Sequence, residues 1–413
     1  MQRKLLFITH EASNSSYFKT LHYPFLAALS TFGFQIQVFR IISLIGSEKA
    51  EKNSEFFPLI NVENFYLKKR FKSVHSILLL IKIFLAFKLP KKLDFDYVLF
   101  RSTLPSLVVV FLKKFKLMKF EASIYDSDGL AVDEYLEFNR QNKVNFRYII
   151  SRYLEFASIV SADVILTRSH LTENVLRCRG ILKTDSRYLV LENGRDTSVF
   201  STGTLDDRNL LRAALNVDIN DLIVVYAGSI GSQYLPENML SIFQKINAEF
   251  SNSKFLFLTA QENHSEISRM AEKLSIDLNS IILMQIDPSR VPDYLSISDI
   301  GFSFRKKTAS MFHVKPLKIR EYLLCGTPVV TFGNTGDTAT FLPEISFDIL
   351  DFDSFETQSF IAWVRKYVVE NREQSRQSAR DFAVSHFDLL HDVQKFLETI
   401  DSLEIEDKHK EKR

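Results

Sequence analysis

Along most of the chain, short apolar runs alternate with stretches of helical period. Residues 4–9, 34–39, 97–100 and 122–125 in the first half read as buried strands, because each is a compact apolar run bounded by polar or turn residues. Residues 21–32 carry an apolar stripe of helical spacing that Gly33 closes, and a further helix is predicted from near Pro105. In the second half, residues 222–226, 254–258, 281–284 and 300–304 repeat the strand pattern, with helices predicted over 266–274 and 291–296 between them. Helices over 360–369 and 374–400 follow. Such alternation predicts α/β architecture with parallel sheets wrapped by helices, and ligand crevices at the strand ends.

The stretch around which the second half is organised is RKKTASMFHVKPLKIREYLLCGTPVVTFGNTGD, from Arg305 to Asp337. Pro316 suits the first turn of a helix, Gly326 suits its C-terminal cap, and residues 329–332 begin a buried strand. Helical spacing puts Lys318, Glu321 and Tyr322 on one flank. A helix N-terminus favours phosphate through its free N–H groups, and Lys318 adds a full charge there. Glu321, one turn on, suits the hydroxyls of a ribose or sugar. An ordinary amphipathic helix with a solvated Lys and Glu fits the same spacing.

The run resembles the donor-binding segment of family-four (group 1) retaining glycosyltransferases, through Pro316, Lys318, Glu321, Tyr322, Leu323, Gly326, Pro328, Val329, Val330, Gly336 and Asp337. It departs from the wider family at His313, which stands eight residues before Glu321 where a carboxylate is frequent. Further segments resemble the same family. Residues 126–134, DSDGLAVDE, match an Asp-x-Arg-Gly-x-x-x-x-Glu pattern except that Asp128 replaces Arg, and residues 155–169 match a helix followed by an Ala-Asp-x-Ile-x-x-x-Ser strand. Asn193-Gly194, with Asp196 and Phe200, matches the junction that ends the first domain.

Composition narrows the field in a different way. At 413 residues the chain exceeds one ordinary core, and 46% hydrophobic with 25% charged residues describes a soluble globular protein. Two cysteines, Cys178 and Cys325, supply neither a disulfide framework nor a four-ligand zinc site. The N-terminus has too short an apolar run for a signal peptide, which with the cysteine usage points to the cytoplasm. The net charge of +2 conceals an asymmetry: residues 1–194 hold 28 Lys and Arg against 18 Asp and Glu, or +10, leaving −8 for the rest. The first half is therefore expected to meet something anionic. Nucleic acid is a poor fit, as no aromatic RNA-binding signature accompanies the basic residues.

Residues 68–92 frame an apolar run with basic clusters, including Lys68, Lys69, Arg70 and Lys72. The run is shorter than the ~20 residues a spanning helix requires. A buried helix of the first domain and a surface helix resting among anionic headgroups both fit it, and the basic cluster at 113–119 bears on the second reading. Residues 10–16 hold no glycine, so the dinucleotide fingerprint is absent. Arg101, at the end of a strand, is placed to contact an acceptor or a phosphate; a peripheral salt bridge explains it equally. The four carboxylates in 126–134 call for cations or a polar ligand to offset them, although Asp and Gly are also turn residues. Residues 226–232, YAGSIGS, bring a strand into a glycine loop whose N–H groups can approach a phosphate.

The resemblance implies the GT-B fold: two Rossmann-like doubly wound parallel-sheet domains facing a cleft, with a C-terminal helix crossing back to the first. It implies an acceptor-binding domain over 1–203, a nucleotide-sugar domain over 204–375, and the crossing helix over 376–401. A charged tail, 402–413, is expected to be disordered. The implied activity is retaining transfer from a UDP- or GDP-sugar to a saccharide or lipid-linked acceptor in bacterial surface polysaccharide biosynthesis. No metal or separate cofactor is implied. Gly228, Ser229, Arg305, Pro316, Lys318, Glu321, Gly336 and Asp337 would hold the donor, and Arg101, Asp126 and Asp128 the acceptor. Asp126 and Glu321 are the catalytic candidates, for positioning the reacting groups; no nucleophile is assigned. The alternatives are a sugar-nucleotide epimerase of the same fold, for which the Asp126 cluster and His313 speak, and a nucleotide-sugar-binding protein without catalysis.

Overall fold

The computed structural model describes residues 2–13, 15–44, 56–68, 95–116, 120–128, 130–138, 144–181, 187–333 and 341–411. The apolar segment at 69–94 and the Gly336-Asp337 pair lie outside the described residues. The chain divides into two compact units, one of residues 1–191 with 392–413, the other of residues 192–391.

The first unit is built on seven parallel strands in the order β3-β2-β1-β4-β5-β6-β7. They are β1 (Arg3–Ala12), β2 (Phe34–Leu44), β3 (Asn61–Lys68), β4 (Tyr97–Arg101), β5 (Ala122–Asp126), β6 (Val164–Thr167) and β7 (Arg187–Val190). Helices α1 (Tyr23–Thr31), α2 (Thr103–Lys114), α3 (Ala131–Phe138), α4 (Phe146–Ser161) and α5 (His170–Cys178) connect them. Alternate residues of one strand serve opposite cores: Leu5 and Phe7 pack with Leu26 and Leu29 of α1, while Leu6 and Ile8 pack with Val109 of α2 and Ile159 of α4. A sheet covered on both faces needs apolar residues at every position, which is why these strands are legible as continuous runs. The edge strand β3 was not anticipated, since NVENFYLK has no such run. β1 also extends to Ala12, past the run 4–9 and over the first three of residues 10–16.

The second unit repeats the design with six parallel strands in the order β10-β9-β8-β11-β12-β13. They are β8 (Ile223–Ala227), β9 (Lys254–Leu258), β10 (Ile281–Met284), β11 (Ile300–Ser303), β12 (Val329–Phe332) and β13 (Ser346–Ile349). Helices α6 (Leu205–Ala214), α7 (Pro236–Glu249), α8 (His264–Lys273), α9 (Val291–Ser296), α10 (Leu317–Leu324), α11 (Thr357–Trp363) and α12 (Arg372–Phe387) surround them. Strand order reverses between β8 and β11, where Val225 pairs with Gly301. Open sheets of this kind receive ligands at such a reversal, outside the strand ends.

Gly301 is required there by space. A β-carbon on it would lie 2.3 Å from Cδ2 of Tyr322, whose ring packs against β11. That packing carries the Tyr322 hydroxyl to the end of β8, where the Ala227 N–H donates to it at 2.9 Å. Helix α10 is thereby fixed to both strands that flank the crevice.

The helix expected over 374–400 is two helices, α12 and α13 (Leu389–Glu411). Asp388 breaks it by adopting extended geometry beside Arg195: the Arg195 N–H donates to the Phe387 carbonyl at 2.8 Å and the Leu389 N–H to the Arg195 carbonyl at 3.0 Å. Ala379, Ala383 and Phe387 of α12 are buried with Ile319 and Leu323 of α10 in the second unit. From Asp392 onward the chain belongs to the first unit, where Val393, Phe396, Ile400 and Leu403 join the core of Leu5 and Tyr97. The helix continues through the charged segment to Glu411, tied at Glu404 by the Tyr97 hydroxyl at 2.7 Å and Arg3 at 2.8 Å.

Candidate functional site

The second unit gathers its candidate residues at the reversal between β8 and β11. Gly228 and Ser229 leave the end of β8 and are exposed. Gly228 has φ +139°, a region open to glycine, and a β-carbon there would lie 3.2 Å from the Lys318 ammonium. Arg305 follows β11 and pairs through its backbone with Tyr234, beyond the glycine loop. Its guanidinium lies 5.2 Å from the centre of the Tyr234 ring. Pro316 is buried at the N-cap position of α10, one residue before the helix proper, and delivers Lys318 into the first turn.

Lys318 is the least expected member in its state. Its side chain runs inward to a residue exposure of 9%, and its Nζ sits 3.9 Å from the Tyr226 ring centre and 4.6 Å from that of Tyr234. Among the described residues no hydrogen-bond acceptor reaches this nitrogen. Burial, and then the neighbouring charge of Arg305, drive its pKa well below the ordinary lysine value, against a weaker opposing pull from Glu321. Aromatic faces attract a cation, but they do not replace its lost hydrogen bonds. An anion entering beside Gly228 would supply both a countercharge and acceptors.

Glu321 is turned to another partner: its Oε1 lies 2.6 Å from a guanidinium nitrogen of Arg195. A similar pairing holds the start of the unit, as Glu192 accepts from Lys315 at 2.9 Å and from Arg320 at 3.3 Å. Sequence reasoning did not single out Arg195, Tyr226 or Tyr234. The tyrosines bracket the glycine loop at 226 and 234, which is the signal that was available. His313 is half-buried in the short turn before α10.

In the first unit Arg101, Asp126 and Asp128 do come together, at the ends of β4 and β5. Asp126 is 4% exposed and lies 2.8 Å from Arg168 and 3.8 Å from Arg101; Asp128 lies 2.5 Å from Arg101 and 3.3 Å from Arg168. Farther along, Asp133 is held by Arg152 at 2.6 Å and Arg179 at 2.9 Å. For Asp126, Asp128 and Asp133 the cations that the sequence called for are arginines of the same unit. Burial works against the charged form of Asp128, but Arg101 and Arg168 hold its pKa below the usual carboxylate range. Arg101 also bonds His22 Nε2 at 2.7 Å. An arginine only donates, so this nitrogen is the acceptor of a neutral imidazole, as burial and the nearby arginines require.

Beside this network lies a pocket of about 70 Å³, lined by Ser102, Thr103, Tyr125, Asp126, Ser151 and Glu155 among others. Burial pushes the Glu155 carboxyl up to about 7, against the pull of Arg152 at 2.6 Å. Among the described residues no group of three His, Cys, Asp or Glu side chains could hold a metal ion. No described helix is long and apolar enough to cross a membrane.

The two sheets, with seven and six parallel strands, are those of the GT-B glycosyltransferase fold. Sucrose-phosphate synthase from Thermosynechococcus elongatus superposes with a TM-score of 0.72 at 16% identity, over 97% of this chain and 99% of that one. Anabaena HepE, in complex with UDP-glucose, gives 0.69 at 15% identity over 97% and 99%. A glycosyltransferase from Rickettsia africae gives 0.69 at 15% identity over 97% and 98%. No family model matches the sequence, and no curated protein matches it.

Proposed function

We propose that the protein is a retaining glycosyltransferase that takes its sugar from a nucleoside-diphosphate donor, UDP- or GDP-linked, bound to the second unit. The observation that carries this reading is the Lys318 amine, buried beside Gly228 with no hydrogen-bond acceptor among the described residues and with Arg305 as its charged neighbour. Two cations at exposed backbone amides are suited to a diphosphate, which is also the leaving group whose charge grows as the glycosidic bond breaks. The UDP-glucose complex of HepE, a protein of the same fold, supports a sugar nucleotide as the ligand.

In this reading the Ser229 amide, Lys318 and Arg305 hold the diphosphate, Gly228, whose own N–H donates to the Leu258 carbonyl at 2.9 Å, leaves room for it, and Pro316 sets the start of the helix that presents Lys318. Glu321, oriented by Arg195, accepts from ribose hydroxyls, and Gly336 and Asp337 flank the donor sugar. Asp126, Asp128 and Arg101 position the acceptor, a saccharide or lipid-linked saccharide of surface polysaccharide assembly at the cytoplasmic face of a membrane. Catalysis is then positioning and electrostatic stabilisation without a protein nucleophile.

A nucleotide-sugar-binding protein without transferase activity is the second reading. It is favoured by the commitment of Asp126, itself only 4% exposed, to Arg168. A thermal-shift screen against UDP, GDP, CMP and their sugars tests the first step, because a ligand that binds only the folded state raises its stability by mass action. One nucleotide family should shift wild type by several degrees and shift Lys318→Ala and Glu321→Ala not at all. No shift with any nucleotide would defeat both readings; a shift with no sugar transfer to any lipid-linked or free saccharide would favour the second.

A further inference from the structure

Helix α4 buries Leu154 and Ile159 in the core, yet its solvent side is apolar as well. Phe146, Ile149, Ile150, Tyr153, Phe156 and Val160 are 76%, 56%, 39%, 66%, 46% and 41% exposed, whereas Glu155 and Ser158 on the opposite side are buried. Every exposed side chain described on this helix is apolar or aromatic. Their spacing follows the helical period, so they form one stripe about 20 Å long. Scattered exposed apolar residues are ordinary; a continuous face of them marks an interaction surface.

Helix α2 lies alongside and parallel. Thr103 Oγ1 is 3.4 Å from Ser151 Oγ at one end, and Lys113 reaches the Ser161 carbonyl and the Asp163 carboxylate at the other. The end of α2 therefore sits by the Val160 end of the stripe. There Phe111 and Phe115 are exposed with ring centres 4.4 Å apart, and Lys114 and Lys116 are exposed beside them. The patch is apolar along its length and cationic at one end.

A standard protein interface uses about 20–30 residues a side, well beyond this stripe. Aromatic and aliphatic side chains on one helix face with lysines at the margin suit the boundary between headgroups and acyl chains, where cations meet anionic lipid. The +10 charge of residues 1–194, from 28 basic and 18 acidic residues, acts in the same sense.

We propose that the exposed face of α4, together with Phe111, Lys114, Phe115 and Lys116, docks the first unit on an anionic lipid bilayer. The proposal stands on surface chemistry and not on the nucleotide site, so nucleotide thermal shifts without lipid are unaffected by it. Cosedimentation with vesicles of phosphatidylglycerol and phosphatidylcholine, against phosphatidylcholine alone, is the test. Wild type should bind the anionic vesicles and release them as salt rises. The Tyr153→Ser/Phe156→Ser variant should bind at least about tenfold more weakly, because two aromatic rings lose their burial. Lys114→Glu/Lys116→Glu should lose the preference for anionic lipid. All of these side chains are exposed, so wild-type melting is expected of both variants, and circular dichroism checks it. Wild type that ignores anionic vesicles, or a serine variant that cosediments as wild type does, would overturn the proposal. So would a wild-type dimer that the serine variant makes monomeric, which would identify a second copy as the occupant.

Discussion

The Lys318 ammonium lies 3.2 Å from the place where a β-carbon on Gly228 would stand, so the loop after β8 and the first turn of α10 share one space. A side chain at 228 would displace the cation and strain a backbone at φ +139°. Gly228→Ala should therefore weaken nucleotide binding by at least about tenfold, or about 1.4 kcal/mol. Isothermal titration with the nucleotide identified by thermal shift measures it; unchanged affinity would remove residue 228 from the site.

Lys318→Met separates the fold from the ligand. Methionine fills the space between Tyr226 and Tyr234 without a buried amine that no described acceptor reaches, so the free protein should gain about 1 kcal/mol or more while losing nucleotide binding. Both effects are read from melting curves with and without nucleotide. A destabilised variant would mean that Lys318 is already satisfied in the free protein.

The same residue predicts a proton count. In the free protein burial and Arg305 favour its neutral form, whereas a diphosphate favours the ammonium. Binding should then take up a proton wherever pH lies above the lowered pKa of the free protein, and affinity should fall as pH rises through that range. Titrations in two buffers of different ionisation enthalpy reveal the uptake, which Lys318→Met should abolish.

Gly301→Ala tests whether the scaffold matters separately from the charges. The added methyl would meet the Tyr322 ring at 2.3 Å, forcing α10 away from β11, and a loss of about 3 kcal/mol is expected. Chemical denaturation measures it, and Tyr322→Leu in the same chain should recover part of the loss by making room.

How much of this was legible follows from what each feature depends on. β8, β11 and α10 were readable because burial on both sheet faces leaves unbroken apolar runs, and because proline and glycine punctuate the helix. β13 was not, since SFDI is four half-polar residues recruited by pairing with β12. The break at Asp388 carries no glycine or proline and is imposed by Arg195, far away in sequence. Asp126 looked unbalanced because Arg168, which offsets it, arrives from the next strand. The apolar stripe of α4 could be read as a helical period, but only the fold reveals that it faces outward.

Glu155 makes the first unit sensitive to pH in a direction opposite to most carboxylates. Burial raises its pKa from the ordinary 4.5 to about 7, so the folded chain retains this proton where the unfolded chain has lost it. The resulting stability is complete below pH 4.5 and disappears as pH rises through about 7, a change of about 3 kcal/mol for such a shift. Asp128 and Asp133, both held below the usual range by arginines after the cost of burial, act the other way and lose their contribution in acid. The difference between wild type and Glu155→Gln isolates the one group. Melting midpoints of the variant should exceed those of wild type increasingly from pH 5 to pH 8, since glutamine keeps the neutral form throughout. Parallel curves for the two proteins would show that Arg152 keeps Glu155 ionised across the whole range.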